Sequence, residues 1–214
     1  MMESPKDKYI REHTTPLSEA FDWIERQTHL RTNFPQMLAG PVQGQFLKML
    51  VEISGARDVL EIGCFTGYSA ACLALGLPEG GHVDSLEIDD ELEDTIREGW
   101  DRAGVSDSIT LHIGDALDTL ARFASEDRRF DFVYMDANKR EYSDYYEAVM
   151  PLLRRGGFIV ADDVMMGGKV YGPKPATDKQ TLGLARFNDV VASDPRVEVV
   201  LMPVGEGISL IRKK

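Results

Sequence analysis

Apolar and polar positions along the chain fall into two regimes. Residues 17–31, "LSEAFDWIERQTHLR", and 42–54, "VQGQFLKMLVEIS", repeat apolar side chains at helical spacing and predict two N-terminal helices, joined by "TNFPQMLAGP". From Arg57 short apolar runs alternate with amphipathic stretches. "DVLEIG" precedes a helix from Tyr68, "HVDSLEI" a helix from Asp90, and "ITLHIG" a helix near Ala116–Phe123. "FDFVYMDA" then leads to a helix over Tyr142–Leu153 and "GFIVADD" to a helix near Thr181–Ala192; "VEVVLMPV" and "GISLIRK" close the chain. Strands alternating this regularly with helices predict an α/β fold: a mostly parallel sheet of seven strands, covered by helices on both faces through right-handed crossovers. The short "GEG" turn, Gly205–Gly207, predicts a terminal hairpin and an antiparallel last strand.

Length changes this picture little. The chain has 214 residues, 43% of them hydrophobic, which suits one core and one domain. The expected division is an N-terminal helical cap, 1–55, on an open-sheet core, 56–214. The N-terminal "MMESPKDKYIREHTTP" lacks a signal-peptide core, and no apolar run reaches the roughly 20 residues a membrane helix needs, so a cytoplasmic location is expected. Cys64 and Cys72 have no second Cys or His pair nearby and are expected to be reduced, half-buried small residues. A formal net charge of −12 repels polyanions, so nucleic acid and anionic membrane are expected not to be partners, while a cationic ligand or a metal ion is welcome.

An open sheet binds ligands beyond the carboxyl ends of its strands. The first strand ends in "EIGCFTGYS", where Gly63 and Gly67 permit a tight turn before a helix start; the spacing lacks the Gly-x-Gly-x-x-Gly of a dinucleotide site. In "SLEIDD", Glu87 falls in register to accept hydrogen bonds from a ribose diol, whereas Asp89 and Asp90 read as solvated acids at a helix start. Asp115 in "IGDA" can cap the next helix or meet the exocyclic amine of an adenine. Asp136 in "YMDANKREY" and Asp162 in "VADD" should emerge side by side from neighbouring strands, with Asp163 as a third carboxylate. Buried like charges need a counter-charge, and an oxygen-only donor set without His or Cys favours a hard divalent cation such as Mg²⁺ or Ca²⁺.

These motifs in this order, with "MLAGPVQGQFL" upstream and "DPRVEVVLMPVGEGISLIRK" at the end, resemble the class I cation-dependent O-methyltransferases, the group of caffeoyl-CoA and catechol O-methyltransferases and their small bacterial relatives. The resemblance spans residues 35–214 and implies a Rossmann-like methyltransferase fold. It implies that Glu61, Gly63, Tyr68 and Ser69 hold the methionine part of S-adenosylmethionine, that Glu87 with the adjoining Ile88 takes the ribose, and that Asp115 and Ala116 border the adenine. Met37 and Tyr145 would line the cofactor. Asp136, which also borders the cofactor, would ligate a divalent cation (Mg²⁺, Ca²⁺ or Mn²⁺) with Asp162 and Asp163, and Lys139 would be the general base. The acceptor would be a small catechol-type or other vicinal-diol phenol, and the assembly a homodimer.

Two departures stand out. Relatives usually carry Asn where this chain has Asp163, and often a Trp soon after the metal pair, where this chain has "VMMGGKVYGPKPATDKQ" with Met165 and Met166 able to line an adaptable pocket. Two rival readings remain at this stage. A nicotinamide-dependent oxidoreductase predicts the missing glycine fingerprint and gives the three aspartates no task; a non-catalytic methyltransferase-fold module predicts an eroded site.

Overall fold

A computed structural model describes residues 4–173 and 177–214. Three helices come first: α1 (Pro5–Glu12), α2 (Glu19–Arg31) and α3 (Gly40–Ser54). The alternating part follows as β1 (Asp58–Ile62), α4 (Tyr68–Leu75), β2 (His82–Glu87), α5 (Glu93–Ala103), β3 (Ile109–Ile113), α6 (Ala116–Ser125), β4 (Phe130–Met135), α7 (Tyr142–Val149), β5 (Leu153–Ala161), α8 (Lys179–Ser193), β6 (Val197–Met202) and β7 (Ile208–Lys213). The strands form one sheet of seven in the order β3-β2-β1-β4-β5-β7-β6. β1 to β5 run parallel, and β7 is antiparallel to both its neighbours.

Period-two alternation explains why the strands read as continuous apolar runs. Val59, Val83, Phe132, Tyr134 and Val160 face α2, α3, α4 and α5, while Leu60, Ile62, Val133, Met135, Ile159 and Ala161 face α6, α7 and α8. Each such side chain contributes about 2 kcal/mol by leaving water. The N-terminal helices join the first of these layers through Phe21, Ile24, Leu47 and Val51, all buried.

Two expectations are corrected and two features had no signal in the sequence. Pro5–Glu12 forms a helix that the periodicity had not signalled, with Ser4 accepting from the Asp7 amide at its start. The helix expected over Tyr142–Leu153 stops at Val149, because Pro151 cannot continue it, and Leu153 opens β5 instead. The terminal hairpin is present, but its second strand inserts between β5 and β6, leaving β6 at the sheet edge. Cys64 and Cys72 are both free and fully buried rather than half-buried.

The strand order places the change of winding direction between β1 and β4, so their carboxyl ends open a crevice. Close approach at this point requires Gly63, at φ +99°: an added Cβ would lie 2.1 Å from the carbonyl oxygen of Asp136. Gly63→Ala should therefore push β1 and β4 apart and lower unfolding free energy by about 2 kcal/mol or more in denaturant titration. A change below about 0.5 kcal/mol would contradict the close approach.

Candidate active site

The crevice is a cavity of about 680 Å³. Of the residues singled out in the sequence, Met37, Gly63, Tyr68, Ser69, Glu87, Ile88, Asp115, Ala116, Asp136, Lys139, Tyr145 and Asp163 all line it. Glu61 and Asp162 lie just behind the wall, and both are buried.

One end is shaped by the turn after β1. Gly63 and Cys64 donate their amides to the Leu86 carbonyl, and Trp100 Nε1 donates to the Gly67 carbonyl at 2.9 Å, which fixes the start of α4. Glu87 draws the turn inward, since one carboxylate oxygen accepts from the Phe65 amide at 2.6 Å and the other from the Ile88 and Asp89 amides, each at 2.9 Å. Burial raises the Glu87 carboxyl against these bonds. Asp115 caps α6 by accepting from Leu117 at 2.8 Å and Asp118 at 3.3 Å, so its capping role is realised at the cavity wall.

Glu61 is wholly buried between β1 and β2. Ser85 donates to its Oε2, whereas Oε1 has no hydrogen-bond partner. Burial pushes this carboxyl up to about 7, against the lowering effect of the Ser69 and Ser85 hydroxyls. An orphaned buried oxygen beside a cavity is costly unless a donor reaches it.

The other end gathers the tips of β4 and β5. Met135 pairs with Ala161, so Asp136 and Asp162 leave the sheet side by side. Lys139, buried within the turn before α7, donates to Asp136 Oδ1 at 2.6 Å and to Tyr142 OH at 2.6 Å, and its ammonium lies 3.3 Å from Asp163 Oδ2. Burial alone would lower this ammonium; Tyr142, Asp136 and Asp163 outweigh it and hold the lysine well above its ordinary range. Asp162 turns the other way, accepting at Oδ2 from Tyr134 OH at 2.9 Å and from Gln43 Nε2, and at Oδ1 from the Asp163 amide at 2.8 Å. Burial, then repulsion from Asp136 and Asp163, pushes its carboxyl to about 6 although Lys139 opposes the shift. Asp163 is raised too, chiefly by burial, and sits at φ +58°, a left-handed conformation that Asp tolerates better than most residues.

The three carboxylates thus have a resident counter-charge in Lys139, a role the sequence reading did not give it. Among the described residues no three His, Cys, Asp or Glu side chains share one coordinating centre. The donor chemistry nevertheless fits a divalent cation: every donor is oxygen, and three carboxylates against one ammonium leave two negative charges uncompensated. Gln43 was missed because it lies 119 residues from Asp162 and carries no charge. Gln180 and Glu206, which also line the cavity, were missed as well; only the "GEG" turn hinted at the latter.

Comparisons with known proteins give the family of the chain. Residues 11–214 match the O-methyltransferase family. A probable caffeoyl-CoA O-methyltransferase 2 of Dictyostelium discoideum is 34% identical over 96% of this chain and 90% of that protein. Caffeoyl-CoA O-methyltransferase 1 of Eucalyptus globulus is 35% identical over 80% of this chain and 72% of that protein. Among solved structures, an O-methyltransferase from Bacillus cereus in complex with SAH superposes with a TM-score of 0.92 at 33% identity, covering 99% of this chain and 98% of that one. The Streptomyces achromogenes O-methyltransferase TomG in complex with SAM gives 0.91 at 30% identity, with both chains fully covered. This chain belongs to the O-methyltransferase family, as an enzyme that takes its methyl group from S-adenosylmethionine. The oxidoreductase and the non-catalytic module are set aside on the same findings.

Glu61 gives a pH prediction. Its folded pKa lies above the unfolded value, 4.5 against about 7, so the native state binds the extra proton and ligand-free stability falls as pH rises through that window. Glu61→Gln should remove this dependence and exceed wild-type stability at pH 8 by about 3 kcal/mol in denaturant titration. Equal pH profiles for the two proteins would contradict the buried carboxyl.

Proposed function

We propose that the chain transfers the S-adenosylmethionine methyl group to a hydroxyl of a small catechol-type or other vicinal-diol phenol, and that it needs a divalent cation to do so. The observation that carries this reading is the excess of carboxylate over ammonium at Asp136, Asp162, Asp163 and Lys139, in and just behind the wall of a cavity that also reaches the turn after β1. Asp136, Asp162 and Asp163 would hold the cation. When bound, such an ion supplies Lewis-acid stabilisation to the anion formed at a phenolic oxygen.

The chain's own residues have the remaining tasks. Tyr68, Ser69 and the Gly63 turn would seat the methionine part, with Glu61 Oε1 free to accept from its ammonium; Glu87 would accept from the ribose and Asp115 would border the adenine. In the transfer itself a phenolate oxygen forms the new C–O bond as the S–CH₃ bond breaks, leaving neutral S-adenosylhomocysteine. The charges of phenolate and sulfonium cancel, so positioning in a partly dry cavity carries most of the acceleration. Lys139 is charged as Asp136 and Asp163 hold it here. It would take the phenolic proton only in a state where those carboxylates no longer hold it charged.

A methyl-transfer assay over catechol, protocatechuate and caffeoyl-CoA, with and without EDTA, tests this. Activity on at least one, abolished by chelator and restored by Mg²⁺, Mn²⁺ or Ca²⁺, is expected; transfer indifferent to EDTA would overturn the metal requirement. Asp162→Ala should remove the chelator-sensitive turnover. Lys139→Ala should slow kcat by about 100-fold while leaving the dissociation constant for S-adenosylmethionine within about twofold.

A homodimer is proposed with it, supported by the exposed Met49 and Ile53 on α3. Light scattering should then give twice the chain mass at micromolar concentration, and a monomer mass would refute it.

A further inference from the structure

We propose that Thr28, on α2, is a positioning residue for S-adenosylmethionine: it tethers Thr66 and so holds the turn after β1 in the shape that takes the cofactor. Thr28 has this role only if that turn seats the methionine part, as in the reading above.

The turn bends through conformations that need support. Gly63, Phe65 and Gly67 have φ of +99°, +51° and +84°, and Phe65 carries its side chain in the left-handed region. Such a backbone persists where its neighbours enforce it. On the sheet side, Glu87 accepts from the Phe65 amide and the Leu86 carbonyl from those of Gly63 and Cys64. On the outer side, Trp100 of α5 donates to the Gly67 carbonyl, and the Thr66 hydroxyl meets that of Thr28 at 2.7 Å.

Both threonines are buried, 0% and 1% exposed. Thr28 spends its single hydroxyl proton on the Ile24 carbonyl at 2.8 Å, so Thr66 donates and Thr28 accepts. Among the described residues Thr28 is the sole partner of the Thr66 hydroxyl.

The helix that carries Thr28 is itself fixed. Arg31 donates to Thr95 Oγ1 of α5 at 3.0 Å, Arg102 of α5 lies 4.5 Å from the Trp23 ring, and Ile24 fills the space a Cβ on Gly99 would need. Phe21 sets its ring edge-on to Tyr68, 5.0 Å between centroids. Among the described residues α2 nevertheless contributes nothing to the cavity wall. Its influence on the cofactor passes through the wall residues it touches, Thr66 and Tyr68.

Without the Thr28 hydroxyl, Thr66 has a buried O–H with no acceptor, and the ligand-free turn relieves this by shifting toward water. Binding must then restore the turn, at the expense of affinity. The transfer step, once the cofactor is seated, does not involve Thr28.

Titration calorimetry with S-adenosylhomocysteine tests the proposal. In Thr28→Val the dissociation constant should rise about fivefold or more, and the KM for S-adenosylmethionine with it, while kcat on an acceptor from the panel above stays within about twofold. Thr28→Ser, which keeps the hydroxyl, should bind within about twofold of wild type. In the wild-type protein, S-adenosylhomocysteine should slow amide exchange across α2, a readout that needs no variant to fold. Wild-type affinity in Thr28→Val, equal losses in the valine and serine variants, or α2 exchange indifferent to the ligand would overturn the inference. Glu61→Gln separates that failure from a failure of the reading beneath it. Weakened binding there beside normal binding in Thr28→Val leaves the cofactor's place standing, whereas unchanged affinity in both variants overturns both.

Discussion

Repulsion among Asp136, Asp162 and Asp163 is the constraint around which this end of the molecule is organised. Register alone brings the first two together, since the pairing of Met135 with Ala161 leaves the next residue of each strand at the same height. Burial then raises the cost of charge on Asp162, and the chain answers with neighbours: the Lys139 ammonium beside Asp136 and Asp163, and Tyr134 and Gln43 on Asp162. These contacts relieve the repulsion in part. What they leave is a local excess of negative charge beside a cavity, which is costly in an inert protein and useful in one that handles cations.

The sheet supplies the other half of the design. Strands wind outward in opposite directions from β1 and β4, so a crevice opens between their tips. Gly63 lets the first turn pass against the Asp136 backbone, and Glu87 gathers the Phe65, Ile88 and Asp89 amides around one carboxylate. One element therefore serves both ends of the cavity: Asp136 terminates a core strand, touches the turn after β1 through its backbone and holds Lys139 through its side chain. Packing in the interior and chemistry at the rim are consequently hard to alter separately.

Much of this was legible in the sequence because it follows from period and order. Alternating strands and helices gave the parallel sheet, and the acids at strand ends were located by the rule for where open sheets bind ligands. What escaped has a common physical character. Gln43 is a neutral residue that acts across 119 positions of sequence, a contact no local pattern encodes. The insertion of β7 between β5 and β6 is a choice of sheet order, to which hairpin signals are blind. Lys139 was recognised by position, yet its three side-chain partners, and hence its charge, depend on side-chain packing. The overlong helix through Leu153 was avoidable, since Pro151 stood in plain view.

The central claim is that the carboxylates at the tips of β4 and β5 hold a divalent cation during turnover. Crystals grown with S-adenosylhomocysteine and manganese, measured near the manganese absorption edge, test it most directly. The account predicts one anomalous peak per chain within about 2.5 Å of carboxylate oxygens of Asp136, Asp162 and Asp163. Well-ordered density for all three side chains with no such peak, and Lys139 still lodged among them, would contradict it.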